Sequence, residues 1–243
     1  MNSVEIKGLT KKFKSRVAVD NLNLEVKEGE FFALLGQNGA GKTTTVKMLS
    51  GLLKPTSGDA FIMGKSIVSA SEEAKQLLNV SPQETAVAAK LSVRENLEFI
   101  AEIYGFSKAE SKQKAEQMMK EFSLTDRASD RAKTLSGGMQ RRLSIAMALI
   151  SEPKVLFLDE PTLGLDVRAR RGLWENISSL KGRITVILTT HYLEEAQSLA
   201  DRIGIMKGGK LAILGTAEEI IAQTGCSDFE EAFLQFTDEE EEK

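Results

Sequence analysis

Residues 36–44 read G-Q-N-G-A-G-K-T-T, and no other stretch constrains this chain as tightly. They fit G-x-x-x-x-G-K-[ST], with Gly36, Gly41, Lys42 and Thr43 in the fixed places. Just upstream, residues 30–35 form a short, mostly apolar run of the length a buried strand needs. Downstream, residues 44–53 put Val46, Leu49, Leu52 and Leu53 on one helical face. Strand, glycine loop and helix together form a phosphate cradle. Glycines let the backbone N–H groups from Asn38 through Gly39, Ala40 and Gly41 curl around phosphate oxygens, and the helix N-terminus adds partial positive charge. Lys42 can reach the β- and γ-phosphates, and the Thr43 hydroxyl can ligate Mg²⁺. These features imply a site for a nucleoside triphosphate.

The bulk properties narrow the setting. A chain of 243 residues with 42% hydrophobic and 28% charged side chains can bury a real core. No apolar stretch approaches the roughly 20 residues that span a bilayer, so membrane contact is expected through another chain. A net charge of −3 argues against a general nucleic-acid footprint. The single cysteine, Cys226, excludes an internal disulfide, fits a reducing compartment and reads as an incidental small hydrophobe.

In chain order, residues 3–26 are strand-like, with Val4 and Ile6, then Leu22, Leu24 and Val26, alternating with polar neighbours. Phe13 falls between those runs and could stack on a nucleobase or sit half-buried in a strand. Residues 59–63 and 80–83 read as extended, the second ending at Gln83. Periodicity then turns helical over residues 91–150, with capping boxes at Ser92/Glu95 and Ser107/Glu110, which predicts an inserted helical subdomain. Near its end, L-S-G-G-M at 135–139 is a second glycine loop opening a helix, with Ser136, Gly137 and Gly138 placed either to hold an anion or simply to cap. Residues 155–160, V-L-F-L-D-E, form an apolar strand ending in two carboxylates. At the carboxyl end of a covered sheet, Asp159 suits support of Mg²⁺ and Glu160 suits work on a water. A further apolar strand, 184–188, leads to His191, the only histidine, placed either to touch a γ-phosphate or to cap the next helix. Residues 203–214 read as a hairpin, Thr216/Glu219 as a helix cap, 229–236 as a short amphipathic helix, and 238–242 as a solvated acidic tail.

Two phosphate-binding glycine loops are one more than a single nucleotide needs. Either each chain holds two sites, or the second loop serves a nucleotide held by another molecule. Taken in order, the motifs resemble those of the ATP-binding-cassette (ABC) ATPases across essentially the whole chain. The Walker A loop is followed by Gln83 as the Q-loop, L-S-G-G-M as the signature, V-L-F-L-D-E as Walker B, Gly164-Leu165-Asp166 as the D-loop and His191 as the switch histidine.

The resemblance implies an α/β P-loop NTPase fold: a RecA-like core with an antiparallel β subdomain (1–84 and 154–243) and an all-helical subdomain (85–153), forming one ABC domain over 1–243. It implies ATP and Mg²⁺, and two copies, or a copy and a similar ATPase subunit, packed head to tail around two ATP molecules. Thr44 would help hold the α-phosphate. Gln83 would sense Mg²⁺ and the attacking water, Glu160 would be the general base, and Asp166 would communicate across the interface. Phe13 and His191 become base-stacking and γ-phosphate residues. A separate transmembrane permease is implied, docking near residues 83–97 and holding the ATPase at the inner face of the cell membrane. T-H-Y-L-E-E-A and D-F-E-E-A-F-L are similar to the bacterial drug, antibiotic and sodium exporter branch. Residues 85–89 lack the aromatic or acidic side chains often found there, and Leu163 stands where a smaller residue is common. The alternative is a soluble ABC ATPase working on ribosomes or DNA, which usually carries two cassettes or long basic or coiled-coil insertions.

Overall fold

The apolar runs resolve into two sheets of opposite kind. The computed structural model describes residues 1–237, and the acidic run at 238–242 lies outside them. Strands β1 (Asn2–Phe13) and β2 (Arg16–Lys27) form a long antiparallel hairpin, joined by β4 (Ser57–Ile62) and β5 (Lys65–Ser66) in the order β2-β1-β4-β5. The 3–26 stretch therefore doubles back at Lys14, which takes a φ of 51°, and Phe13 pairs directly with Arg16.

The second sheet contains β3 (Phe31–Gly36), β6 (Leu78–Ser81), β7 (Val155–Asp159), β8 (Thr185–Thr190), β9 (Arg202–Lys207) and β10 (Lys210–Gly215), ordered β10-β9-β3-β8-β7-β6. All its neighbouring strands are parallel except the β9–β10 hairpin. Strands β3, β7 and β8 are buried along their whole length, as a sheet covered on both faces requires. Alternate residues serve different faces. Phe31, Ala33, Leu35, Leu156 and Leu158 join the core under the helical block, whereas Phe32, Leu34, Val155 and Phe157 pack toward the antiparallel sheet.

Helix α1 (Lys42–Leu49) follows the glycine loop and is shorter than its apolar pattern predicts. Gly51 turns the chain at a φ of 71°, and Leu52, expected on the buried face, is 74% exposed. A short helix, α2 (Ser71–Lys75), precedes β6. Between β6 and β7 come α3 (Val93–Ile103), α4 (Lys108–Glu121) and α5 (Gly137–Leu149). Both predicted capping boxes form, with Glu95 N–H donating to Ser92 at 3.1 Å and Glu110 N–H donating to Ser107 at 3.4 Å. Val93, Leu97, Ala115, Met118 and Phe122 share one core with α5 and the sheet, so the helical block leans on the sheet through α5. The remaining helices are α6 (Val167–Ser178), α7 (Leu193–Leu199), α8 (Ala217–Thr224) and α9 (Phe229–Thr237).

Parallel order has one decisive result. Gly36, Ser81, Asp159 and Thr190 end four parallel strands, so the loops that follow all open on one edge of the sheet.

Candidate nucleotide-binding site

That edge carries a cleft of about 440 Å³ lined by Phe13, Arg16, Ala18, Asn38, Gly39, Gly41, Lys42, Thr43, Thr44, Gln83 and Glu160. A larger cavity, about 540 Å³, is lined by Glu28, Lys114, Glu121, Glu152 and Arg183 among others and by none of the motif residues. Chemistry therefore selects the smaller space.

The loop's glycines have steric reasons. A Cβ on Gly36 would sit 2.6 Å from the Met206 carbonyl oxygen. Gly41 holds a φ of 109°, and its Cβ would meet the Ala18 carbonyl oxygen at 2.5 Å. This left-handed turn, closed to other residues, starts α1 and aims its first N–H groups into the cleft. Ala40 packs beneath at 6% exposure.

Lys42 is 4% exposed, and its ammonium folds back on its own loop. Nζ donates to the Gly36 carbonyl at 2.8 Å and the Gln37 carbonyl at 3.2 Å, and stands 3.5 Å from Glu160 Oε1. Burial pulls this ammonium below the usual lysine range, while Glu160 and Asp159 oppose the shift. Phosphate oxygens would replace those neutral carbonyls with negative partners.

Asp159 and Glu160, both under 9% exposed, diverge as their strand-end position predicts. Asp159 Oδ1 accepts from Thr43 Oγ1 at 3.2 Å and from Thr189 Oγ1. Glu160 turns away at a φ of 47°, and its N–H donates to the Thr189 carbonyl at 3.0 Å and hydroxyl at 3.2 Å. Its Oε2 lies 3.2 Å from His191 Nδ1, a nitrogen that makes no hydrogen bond among the described residues. His191 thus stands beside the carboxylate, not merely over the next helix.

Ser136, Gly137, Gly138 and Asp166 do not line this cleft. They gather elsewhere. Ser136 caps α5 by accepting from the Met139 N–H at 3.4 Å, and Asp166 caps α6 by accepting from the Ala169 N–H at 2.8 Å. A Cβ on Gly138 would meet Ala169 Cβ at 2.9 Å, so the second glycine loop rests against the start of α6. One chain keeps its two glycine loops apart.

Three residues of the site escape the sequence motifs. From β8, Thr189 donates to the Asp159 carboxylate and accepts from the Glu160 backbone N–H, visible in the sequence only as a hydroxyl two positions before the histidine. Arg16 enters the cleft because the hairpin pairs it with Phe13, and its Nη2 donates to the Gly39 carbonyl at 3.3 Å. Arg141, buried at 4%, grips the backbone at Pro82 and Gln83. No local pattern marks either arginine.

The ABC transporter family profile matches residues 19–163, more than half of the chain. The chain belongs to the ABC transporter family. The linearmycin resistance ATP-binding protein LnrL of Bacillus subtilis is 38% identical over 240 residues, covering 95% of this chain and 77% of its own length. The daunorubicin resistance ATP-binding protein DrrA3 of Streptomyces coeruleorubidus is 40% identical over 224 residues, 92% of this chain and 71% of its own. The probable multidrug ABC transporter ATP-binding protein YbhF of Escherichia coli is 42% identical over 96% of this chain, which spans only 41% of that relative. Among solved structures, an ATP-binding subunit of an ABC transporter superposes with a TM-score of 0.85 at 30% identity, covering 97% of this chain and 99% of that one. The ATP-binding cassette MJ0796, solved as a dimer in a post-hydrolysis state bound to ADP and Pi, gives 0.79 at 28% identity, covering 88% and 98%. The fold is that of the ABC ATPases: a P-loop NTPase with an antiparallel β subdomain and a helical subdomain.

Proposed function

We propose that this chain binds MgATP over residues 36–44, pairs head to tail with a second copy or a similar subunit, and hydrolyses the nucleotide to drive a separate membrane-spanning permease, as an exporter. One observation carries the pairing. The cleft is lined by Lys42 and Glu160, with His191 beside Glu160, while Ser136–Gly138 opens a second helix N-terminus away from it. A partner's second loop would close over the γ-phosphate bound by the first, and Asp166 beside that loop would lie at the seam. The MJ0796 cassette, of similar fold and solved as a dimer bound to ADP and Pi, supports pairing of two copies.

Within the cleft, Phe13 would stack on the base, and Asn38 to Thr44 would wrap the phosphates. Lys42 would leave its loop carbonyls for the β- and γ-phosphates. Thr43 and Asp159, two hard oxygen donors already 3.2 Å apart, fit Mg²⁺. Among the described residues no three His, Cys, Asp or Glu side chains cluster as a metal site, which suits a cation that shares phosphate and water ligands. When bound, Mg²⁺ would neutralise charge developing on the transferred phosphoryl group. Glu160 would take the proton of the attacking water, with Gln83 orienting that water and His191 holding the γ-phosphate.

No helix among the described residues is long and apolar enough to cross a membrane, which fits work through a separate permease. Its short cytoplasmic helix would dock near residues 83–97, just beyond which Phe99 and Ile103, one turn apart on α3, are 51% and 61% exposed. The drug-resistance names of LnrL and DrrA3 support export as its direction.

The test is Glu160→Gln. Loss of a positioned general base should lower kcat by about 10²–10⁴-fold while ATP still binds, leaving a nucleotide-trapped dimer visible by size-exclusion chromatography. A variant that hydrolyses at the wild-type rate, or stays monomeric with saturating MgATP, rules the proposal out.

A further inference from the structure

Arg141 belongs to none of the motifs, yet it is the buried charge nearest to connecting them. It sits on α5, five positions after Ser136 of the second glycine loop, and is 4% exposed. Its guanidinium reaches out of the helix to the segment leaving β6. Nη1 donates to the Pro82 carbonyl at 2.6 Å, and Nη2 donates to the Gln83 carbonyl. Three residues further along α5, the buried hydroxyl of Ser144 meets that of Ser81 at 3.3 Å. Residues 81, 82 and 83 are thus held in succession by one helix.

A buried guanidinium carries a large desolvation penalty, and burial does pull Arg141 below the usual arginine range, with the Asp159 charge opposing. Satisfying two loop carbonyls does not require that penalty, because an amide or hydroxyl would serve each one. What arginine alone supplies is a rigid planar fork that fixes two successive peptide planes together. Those planes set the direction in which Gln83, just past the end of β6, enters the cleft that Glu160 also lines.

We propose that Arg141 is the positioning residue that holds Gln83 in the nucleotide cleft and ties its placement to the helix carrying the second glycine loop. The proposal rests on the reading of Gln83 as the residue that orients water and Mg²⁺. Because α5 is one continuous helix from Gly137 to Leu149, a nucleotide seated on its N-terminus in the dimer would bear on Arg141 less than two turns away.

The experiment compares wild type, Arg141→Gln, Arg141→Lys, Gln83→Ala and the Arg141→Gln/Gln83→Ala double variant. For each, ATP affinity is measured by nucleotide titration, thermal unfolding checks the fold, and kcat is followed against Mg²⁺ concentration. Loss of a group that orients another usually lowers activity or metal affinity about 10–100-fold, and Arg141→Gln should fall in that range with ATP affinity within about twofold of wild type. Arg141→Lys keeps the charge but loses the fork, so its kcat should drop while its fold and ATP affinity hold. The double variant should be no worse than Gln83→Ala alone, because both changes remove one interaction. Multiplicative losses in the double variant, or a folded Arg141→Lys with wild-type kcat, overturn the proposal and leave Gln83 its role. Wild-type kcat and Mg²⁺ dependence in Gln83→Ala would overturn the reading of Gln83 and the proposal with it.

Discussion

Replacing Thr189 by valine removes one hydroxyl from a fully buried position on β8, directly across the ladder from Asp159. That hydroxyl donates to Asp159 Oδ1 and accepts from the Glu160 N–H at 3.2 Å. The two bonds are unequal. The Glu160 N–H keeps the Thr189 carbonyl at 3.0 Å, so its loss adds little. Asp159 keeps only Thr43 among these two donors, with a methyl group put against a buried carboxylate. A hydrogen bond to a charged group contributes about 1.5–3 kcal/mol, and that is the expected destabilisation of the nucleotide-free protein. For a chain of this size it corresponds to a fall in Tm of about 3–12 °C. Because Asp159 is the proposed Mg²⁺ support, steady-state hydrolysis should also need about 10–100-fold more Mg²⁺ or slow by that factor. Thr189→Ser keeps the hydroxyl and should retain the wild-type Mg²⁺ dependence. Unchanged Tm and Mg²⁺ dependence in the valine variant, or equal impairment in the serine variant, would refute the argument that the hydroxyl orients Asp159.

Gly41→Ala should lose at least about 2 kcal/mol in denaturant unfolding, because φ is 109° and the new methyl lies 2.5 Å from the Ala18 carbonyl oxygen. Nucleotide affinity should fall with it, whereas Gly64→Ala, at φ 78° with open space around its Cβ, should leave affinity unchanged. Glu195, fully buried and accepting from Trp174 Nε1 at 3.1 Å, is pushed above its ordinary 4.5 by burial. The folded state therefore holds a proton that the unfolded chain releases. Stability from it is complete below about pH 4.5 and is lost as pH climbs through the raised value. Glu195→Gln cannot titrate, so its Tm should gain on wild type across that window and run parallel above it.

What could be read from the sequence follows from how local each constraint is. Residues 36–44 and the capping boxes at Ser92 and Ser107 declare themselves because the same few residues both carry the pattern and make the contacts. Strands β3, β7 and β8 were legible because burial on both faces demands unbroken apolar runs. Leu52 misled because its helical spacing is right but the glycine before it ends the helix. Arg16, Arg141 and Thr189 stayed hidden for a different reason. Each acts on a partner 23, 58 or 30 positions away, through pairings that exist only after the sheet order is set.

The long-range contacts also give the proposed two-chain site a way to respond as one. Within each chain, the second glycine loop connects to the cleft by two short, stiff routes. Along α5 it reaches Arg141 and then the backbone of Gln83. Across the Gly138–Ala169 contact it reaches the start of α6, whose cap, Asp166, lies six residues beyond Glu160. Neither route passes through the phosphate loop itself. On the proposed reading, ATP would be held on Lys42 and Thr43 by contacts separate from both routes, and a partner's nucleotide pressing on Ser136–Gly138 would act through them on the water-handling residues. Such wiring would make hydrolysis depend on pairing without requiring that binding depend on it.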